Sequence, residues 1–215
     1  MNWTVYIFSG IFAACVLVHL GAILSKKKKL EAASKILLLP PLLAAYIAGA
    51  NTLLVTVIVA VLSGWAGDIF LINIKKPVFF RLGLASFLVG HICYIPSMLR
   101  FTGNISPPLL AVSAALFLAG GVVLYRLIKP DAAMRIPVIL YEIAIVLMSL
   151  AALQLLVSQR NVPGALAFAG SLFFLASDGF LARFLFNTKP EWGDIVVMTS
   201  YIAAQAAIVS ALAML

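Results

Sequence analysis

The sequence predicts an all-α integral membrane protein, an eight-transmembrane-helix bundle that forms a single domain over residues 1–215 with both termini outside. Three observations predict it. The 215 residues are 64% hydrophobic and only 10% charged, where soluble domains carry about a quarter charged residues. Eight apolar stretches, most near the roughly 20 residues that a helical span requires, fit along the chain with short connections. The basic residues fall almost wholly into alternate connections.

Span one covers 3–24. It is followed, not preceded, by the basic run Lys26 to Lys29, and Met1-Asn2-Trp3-Thr4 carries no positive side chain, so it is not a cleaved leader. Span two, 35–50, is short and contains Pro40-Pro41, which predicts a kinked or tilted helix opened by Lys35 from its charged end. Spans three and four, 52–72 and 79–99, carry Asp68 and His91. Spans five to eight follow at 107–128, 136–157, 162–186 and 194–214, with Asp178 late in the seventh. No room remains for a soluble domain, so any chemistry takes place among the helices.

Charge sets the orientation. In the eight-span arrangement Lys26, Lys27, Lys28, Lys29, Lys35, Lys75, Lys76, Arg81, Arg126, Lys129, Arg135, Arg183 and Lys189 fall on one side, thirteen of the fifteen Lys and Arg; Arg100 and Arg160 fall on the other. Positive residues concentrate on the cytoplasmic side, so both termini are expected outside. The net charge of +8 is thereby explained as membrane topology, and no nucleic-acid partner is expected. Short loops and the lack of a recognisable retention signal point to a bacterial inner membrane. Cys15 and Cys93 both fall within spans and read as small core residues.

The halves resemble each other. Gly67-Asp68-Ile69-Phe70-Leu71 in span three is similar to Ser177-Asp178-Gly179-Phe180-Leu181 in span seven, and Ser86-Phe87-x-x-x-His91 to Ser200-Tyr201-x-x-x-Gln205. Four spans per half would make this a parallel 4+4 internal repeat.

The candidate chemistry lies in the ionisable residues inside spans. A carboxyl group in hydrocarbon is costly and normally faces a protein interior or a water-filled cavity. Asp68 and Asp178, at similar depth in spans that run the same way, can divide acid and base roles; the bland alternative is pairing with Lys35, Arg81, Arg183 or a tyrosine. Glu142 is a third acid at a similar level, either a site member or, in the favoured reading, a partner of Arg135. Phe80, Gly83, Phe87, His91 and Tyr94 recur at steps of three and four on one helix face, as do Asp194, Met198, Tyr201, Gln205 and Ile208. Tyr141, Tyr201 and Gln205 are either site residues or interhelical hydrogen-bond donors. His19, near the charged end of span one, reads as structural. His91 with the two aspartates offers three metal ligands in principle, but no HxxxH or HExxH spacing supports a metal, and no P-loop, GxGxxG or GxSxG is present. No cofactor is expected.

Taken in order, Lys35, Gly67-Asp68-x-x-Leu71, Phe80-x-x-Gly83-x-x-x-Phe87-x-x-x-His91-x-x-Tyr94, Tyr141-x-x-x-Ile145-x-x-Met148, Gly170-x-x-x-Phe174-x-x-Ser177-Asp178 and Tyr201-x-x-x-Gln205 form a set that resembles the YhhN-like family, which includes the lysoplasmalogenases. Three positions depart from the family pattern: Ile36 stands where proline often follows the lysine, Ser171 follows Gly170, and Ile202 stands beside Tyr201. The resemblance implies hydrolysis of the vinyl ether bond of a lysoplasmalogen, releasing a fatty aldehyde. It implies Asp68 and Asp178 as catalytic residues, with Lys35, His91, Tyr94, Tyr141, Ser177, Tyr201 and Gln205 around the lysophospholipid substrate. The competing class is a small-solute or proton-coupled transporter, since carboxylates in spans also carry protons, and a hydrolase of another lysolipid is the alternative within the enzyme reading.

Overall fold

A computed structural model describes residues 3–104 and 107–215; Met1 and Asn2, part of the uncharged N-terminal stretch read above, lie outside them. Among the described residues the regular structure is helical throughout: α1 (Trp3–Leu24), α2 (Lys28–Ile36), α3 (Leu39–Gly49), α4 (Val55–Leu71), α5 (Pro77–Leu99), α6 (Pro107–Ile128), a 3-10 turn (Ala132–Met134), α7 (Arg135–Gln159), α8 (Val162–Phe186) and α9 (Gly193–Met214). Seven helical segments are long and apolar enough to cross a membrane, and α4, at 17 residues, is a shorter apolar helix. Large apolar side chains such as Leu17, Ile136 and Val162 stand exposed on these helices, as lipid-facing positions require. The architecture is that of a multi-pass membrane protein.

Span two departs from its expected form. The helix starts earlier, at Lys28, stops after Ile36, and restarts at Leu39 with Pro40 and Pro41 in the first turn of α3. Proline is tolerated there because first-turn N–H groups have no intrahelical acceptor. Lys35 therefore lies in the last turn of α2 and does not open a span. Cys15 and Cys93 are half-buried free thiols, so neither is a fully enclosed core residue.

Three helices end on a basic residue in the left-handed region: Lys26 after α1, Lys129 after α6 and Arg160 after α7, with φ of 55°, 52° and 47°. Glycine is the usual choice there. A cation suits the partial negative charge of a helix C-terminus, and it also marks where hydrocarbon gives way to water.

The chain divides into two compact units, Met1–Ser97 with Val209–Leu215, and Met98–Ile208. In the first, His19 is fully buried on α1 and its Nδ1 lies 2.9 Å from Ser34 Oγ on α2. Trp65 Nε1 on α4 donates to Ile36 O at 2.8 Å, where α2 ends. The Tyr46 hydroxyl donates to Thr52 O and accepts from Leu54 N–H, bracing the α3–α4 connection. A Cβ on Gly90 of α5 would stand 3.2 Å from Ala60 O of α4, so glycine sets that close approach.

In the second unit Asn161 caps α8, its side-chain oxygen accepting from Gly164 N–H at 2.9 Å. Gln159 Nε2 donates to Phe101 O and Asn187 Nδ2 to Ile128 O, tying loops to neighbouring helix ends. Gly170 of α8 meets α9 so closely that a Cβ would lie 2.7 Å from Ile208 Cγ1 and 3.1 Å from Ala204 O. Backbone cannot move aside as a flexible side chain can. Gly170→Val is therefore expected to destabilise the protein by about 1–3 kcal/mol, the usual cost of overpacking, read as a lower detergent-solubilised melting temperature with Gly120→Val, which meets open space, as the neutral control.

Candidate active site

Asp68 in the first unit is buried and Asp178 in the second is half-buried, and the two aspartates have different kinds of partner. In α4 the buried residues are Val57, Ala60, Val61, Gly64, Gly67 and Asp68, steps of three and four that define one face. Asp68 closes that stripe, 1% exposed. Its Oδ1 lies 3.4 Å from Lys35 Nζ, whose side chain is 17% exposed. Ser34, next to Lys35, is held by His19, so the brace between α1 and α2 also positions the ammonium. Gly67 has no side chain for a reason visible in α5: a Cβ would fall 2.6 Å from the Phe87 ring.

Along α5, Gly83, Phe87, His91 and Tyr94 of the expected stripe are buried, whereas Phe80 at its start is half-buried. His91 Nδ1 lies 2.6 Å from Phe87 O. A carbonyl only accepts, so Nδ1 carries the proton, and in the neutral ring Nε2 is the acceptor nitrogen. Tyr94 is 1% exposed.

In the second unit the hydroxyl of Tyr141 on α7 donates to Asp178 Oδ2 on α8 at 2.5 Å. Both residues are half-buried. Ser177, beside Asp178, donates to Val197 O at 3.1 Å, which fixes α8 against α9. Phe174, one turn away, meets Tyr201 of α9 edge to face at 5.7 Å, and Tyr201 and Gln205 are both buried. The α9 stripe holds except at its start: Asp194 pairs with Lys189 at 2.9 Å near the surface.

Glu142 does not pair with Arg135 as read from the sequence. Its Oε1 is buried without a hydrogen-bond partner, and the space it occupies exists because residue 121 is glycine, whose Cβ would stand 3.2 Å from that oxygen. Among the described residues no group of three or more His, Cys, Asp and Glu side chains is placed to hold a metal ion. His19, Ser34 and Trp65 support the site without having been expected there. Their contacts join residues far apart in sequence, and no local spacing announces them.

In the first unit a carboxyl group faces an ammonium, and in the second a carboxyl group accepts from a phenol, two unlike environments. Fold and site together define a polytopic α-helical membrane protein with ionisable groups placed inside its spans. The chain belongs to the YhhN family, which it matches over residues 30–212. No curated protein and no solved structure gives a significant match to it.

Proposed function

We propose that this protein is a membrane-embedded hydrolase that cleaves the vinyl ether bond of lysoplasmalogens, giving a fatty aldehyde and a glycerophospho-ethanolamine or -choline. The observation that carries the reading is the pair of aspartates inside spans with unlike partners, Lys35 on Asp68 and Tyr141 on Asp178. Membership of a family associated with hydrolase activity supports it.

The chemistry suits such a pair. Protonation of the vinyl carbon β to oxygen creates an oxocarbenium ion. Water adds to the carbon bearing oxygen and gives up a proton, and the hemiacetal collapses to aldehyde and alcohol; one water is consumed. The neutral phenol on Asp178 is compatible with a protonated carboxyl, whereas the Lys35 ammonium calls for an anionic partner. Asp178 is accordingly the acid that protonates carbon and recovers its proton from the attacking water. Asp68 is the anion that stabilises the cation, a division like that in glycoside hydrolysis. His91, Tyr94, Tyr201 and Gln205 orient substrate and water. Lys35 serves first as the countercharge of Asp68. The excess of basic residues at one level supports a substrate whose polar end lies at the cytoplasmic face.

The test is direct. Detergent-purified protein incubated with a 1-alkenyl lysophospholipid is expected to release free aldehyde, with no gradient present. A transporter would instead move solute across sealed vesicles and leave lipid chemistry unchanged; that result, with no aldehyde from folded protein, overturns the proposal. Tyr141→Phe removes a hydrogen bond to a carboxyl group, an interaction worth about 1.5–3 kcal/mol, so turnover is expected to fall roughly tenfold to a hundredfold. Unchanged kcat in that variant would remove Tyr141 from the mechanism.

A further inference from the structure

The second unit contains a groove between α6 and α8, floored by Val146 of α7, of about 590 Å³, within the range of small-molecule sites. Its walls are apolar except at one end, where Arg183 stands. Gly120 keeps one wall low, since a Cβ there would meet nothing within 4 Å. On α8 the lining runs from Leu172 to Arg183, about 16 Å of helix at 1.5 Å per residue. That matches one leaflet, since the whole hydrocarbon core is roughly 30 Å thick. Arg183 lies in the last turn of α8 and is exposed. Among the described residues no hydrogen bond or ion pair engages its guanidinium.

An apolar channel one leaflet long, closed by an uncommitted guanidinium, fits a lipid with one chain and an anionic head. Two chains from a common glycerol would need a second channel alongside. Lys35, by contrast, is already held at 3.4 Å by Asp68. Guanidinium matches phosphate with paired donors, and basic positions between membrane helices bind phospholipid head groups in this manner. Asp178 precedes the groove residue Gly179 and lies about 7 Å deeper along α8 than Arg183, so a phosphate at Arg183 leaves the glycerol-linked end of the chain near the depth of the acid.

We infer that the α6–α8 groove is the binding site for the single hydrocarbon chain of a lysophospholipid, with its phosphate on Arg183. The inference rests on the proposed function for the choice of lysophospholipid, and its test is therefore a binding measurement. A lysophosphatidylethanolamine with an acyl chain carrying a mid-chain diazirine has no vinyl ether to cleave. Photolysed with the detergent-purified protein, it is expected to label peptides within 116–127 and 172–183. Gly120→Phe should abolish that labelling while leaving the fold intact, because a Cβ at Gly120 meets nothing within 4 Å; Val123→Trp, at another lining position, is the second blocking variant. Arg183→Gln should weaken labelling roughly tenfold, the loss of a charge-assisted contact, and should not affect a monoacylglycerol probe with the same chain. Labelling elsewhere, labelling that survives both blocking variants, or an equal effect of Arg183→Gln on the neutral probe would overturn the groove assignment. Groove labelling without aldehyde release would overturn the hydrolase reading and support the binding site. Full turnover in both blocking variants would do the reverse.

Discussion

Asp68→Asn and Asp178→Asn are each expected to lower aldehyde release roughly a hundredfold to ten-thousandfold, and the double variant to be no worse than either alone. General acid–base groups contribute roughly 10²–10⁴-fold, and groups that act as one unit are not additive. Asparagine keeps the size and planar shape of each carboxyl group. At position 178 its carbonyl oxygen can still accept from the Tyr141 hydroxyl, the contact that measures 2.5 Å to Oδ2, so the α7–α8 packing survives. What it cannot do is give a proton to carbon. At position 68 the amide carries no charge with which to stabilise a cation. Aldehyde measured beside size-exclusion elution in the same detergent separates lost chemistry from lost fold. Near-normal release from both single variants would end the assignment of these residues. A loss confined to one would leave the other as a structural carboxyl and turn the mechanism into one with a single acid.

The spans were legible because hydrocarbon imposes a simple rule: about 20 apolar residues between charges. Seven of the eight expected ranges lie within about three residues of the helices at both ends, and span one coincides with α1, Trp3–Leu24. Which face of a helix is buried was also legible. Phe87, His91 and Tyr94, and likewise Tyr201 and Gln205, are buried because polar groups at steps of three and four have nowhere else to go. The partners were legible only as a choice of candidates: Lys35 and a tyrosine stood among the alternatives for the two aspartates, and the structure sets Lys35 on Asp68 and Tyr141 on Asp178. Periodicity says that Asp68 points inward but not which cation meets it, and the break at Leu37 and Leu38 leaves Lys35 at the end of a separate short helix. The failed Glu142–Arg135 pairing has the same origin. Both residues sit early in one helix, but at a step of seven they are nearly two turns apart, and the vacancy left by Gly121 draws Glu142 toward α6.

Lys35→Met should produce the largest loss of stability of any single substitution at the site, about 3 kcal/mol, because it strands the Asp68 charge where only 1% of the residue is exposed. Desolvating an ion pair is itself costly, so the pair is poor evidence of net stabilisation; removing one member is a different matter, since the remaining charge keeps its desolvation penalty and loses its compensation. The double variant Lys35→Met/Asp68→Asn tests this. If the loss comes from a stranded carboxylate, neutralising Asp68 should recover most of it, whereas a packing defect at position 35 would persist. Melting temperatures of the four proteins in one detergent complete the cycle. The prediction fails if Lys35→Met is as stable as the parent, or if the double variant is no better than Lys35→Met alone. Activity should follow a different pattern, with the double variant refolded and inactive. Recovered stability without recovered turnover would mean that the charge of Asp68 is kept for chemistry, and that Lys35 and the His19–Ser34 contact behind it make that charge tolerable inside the membrane.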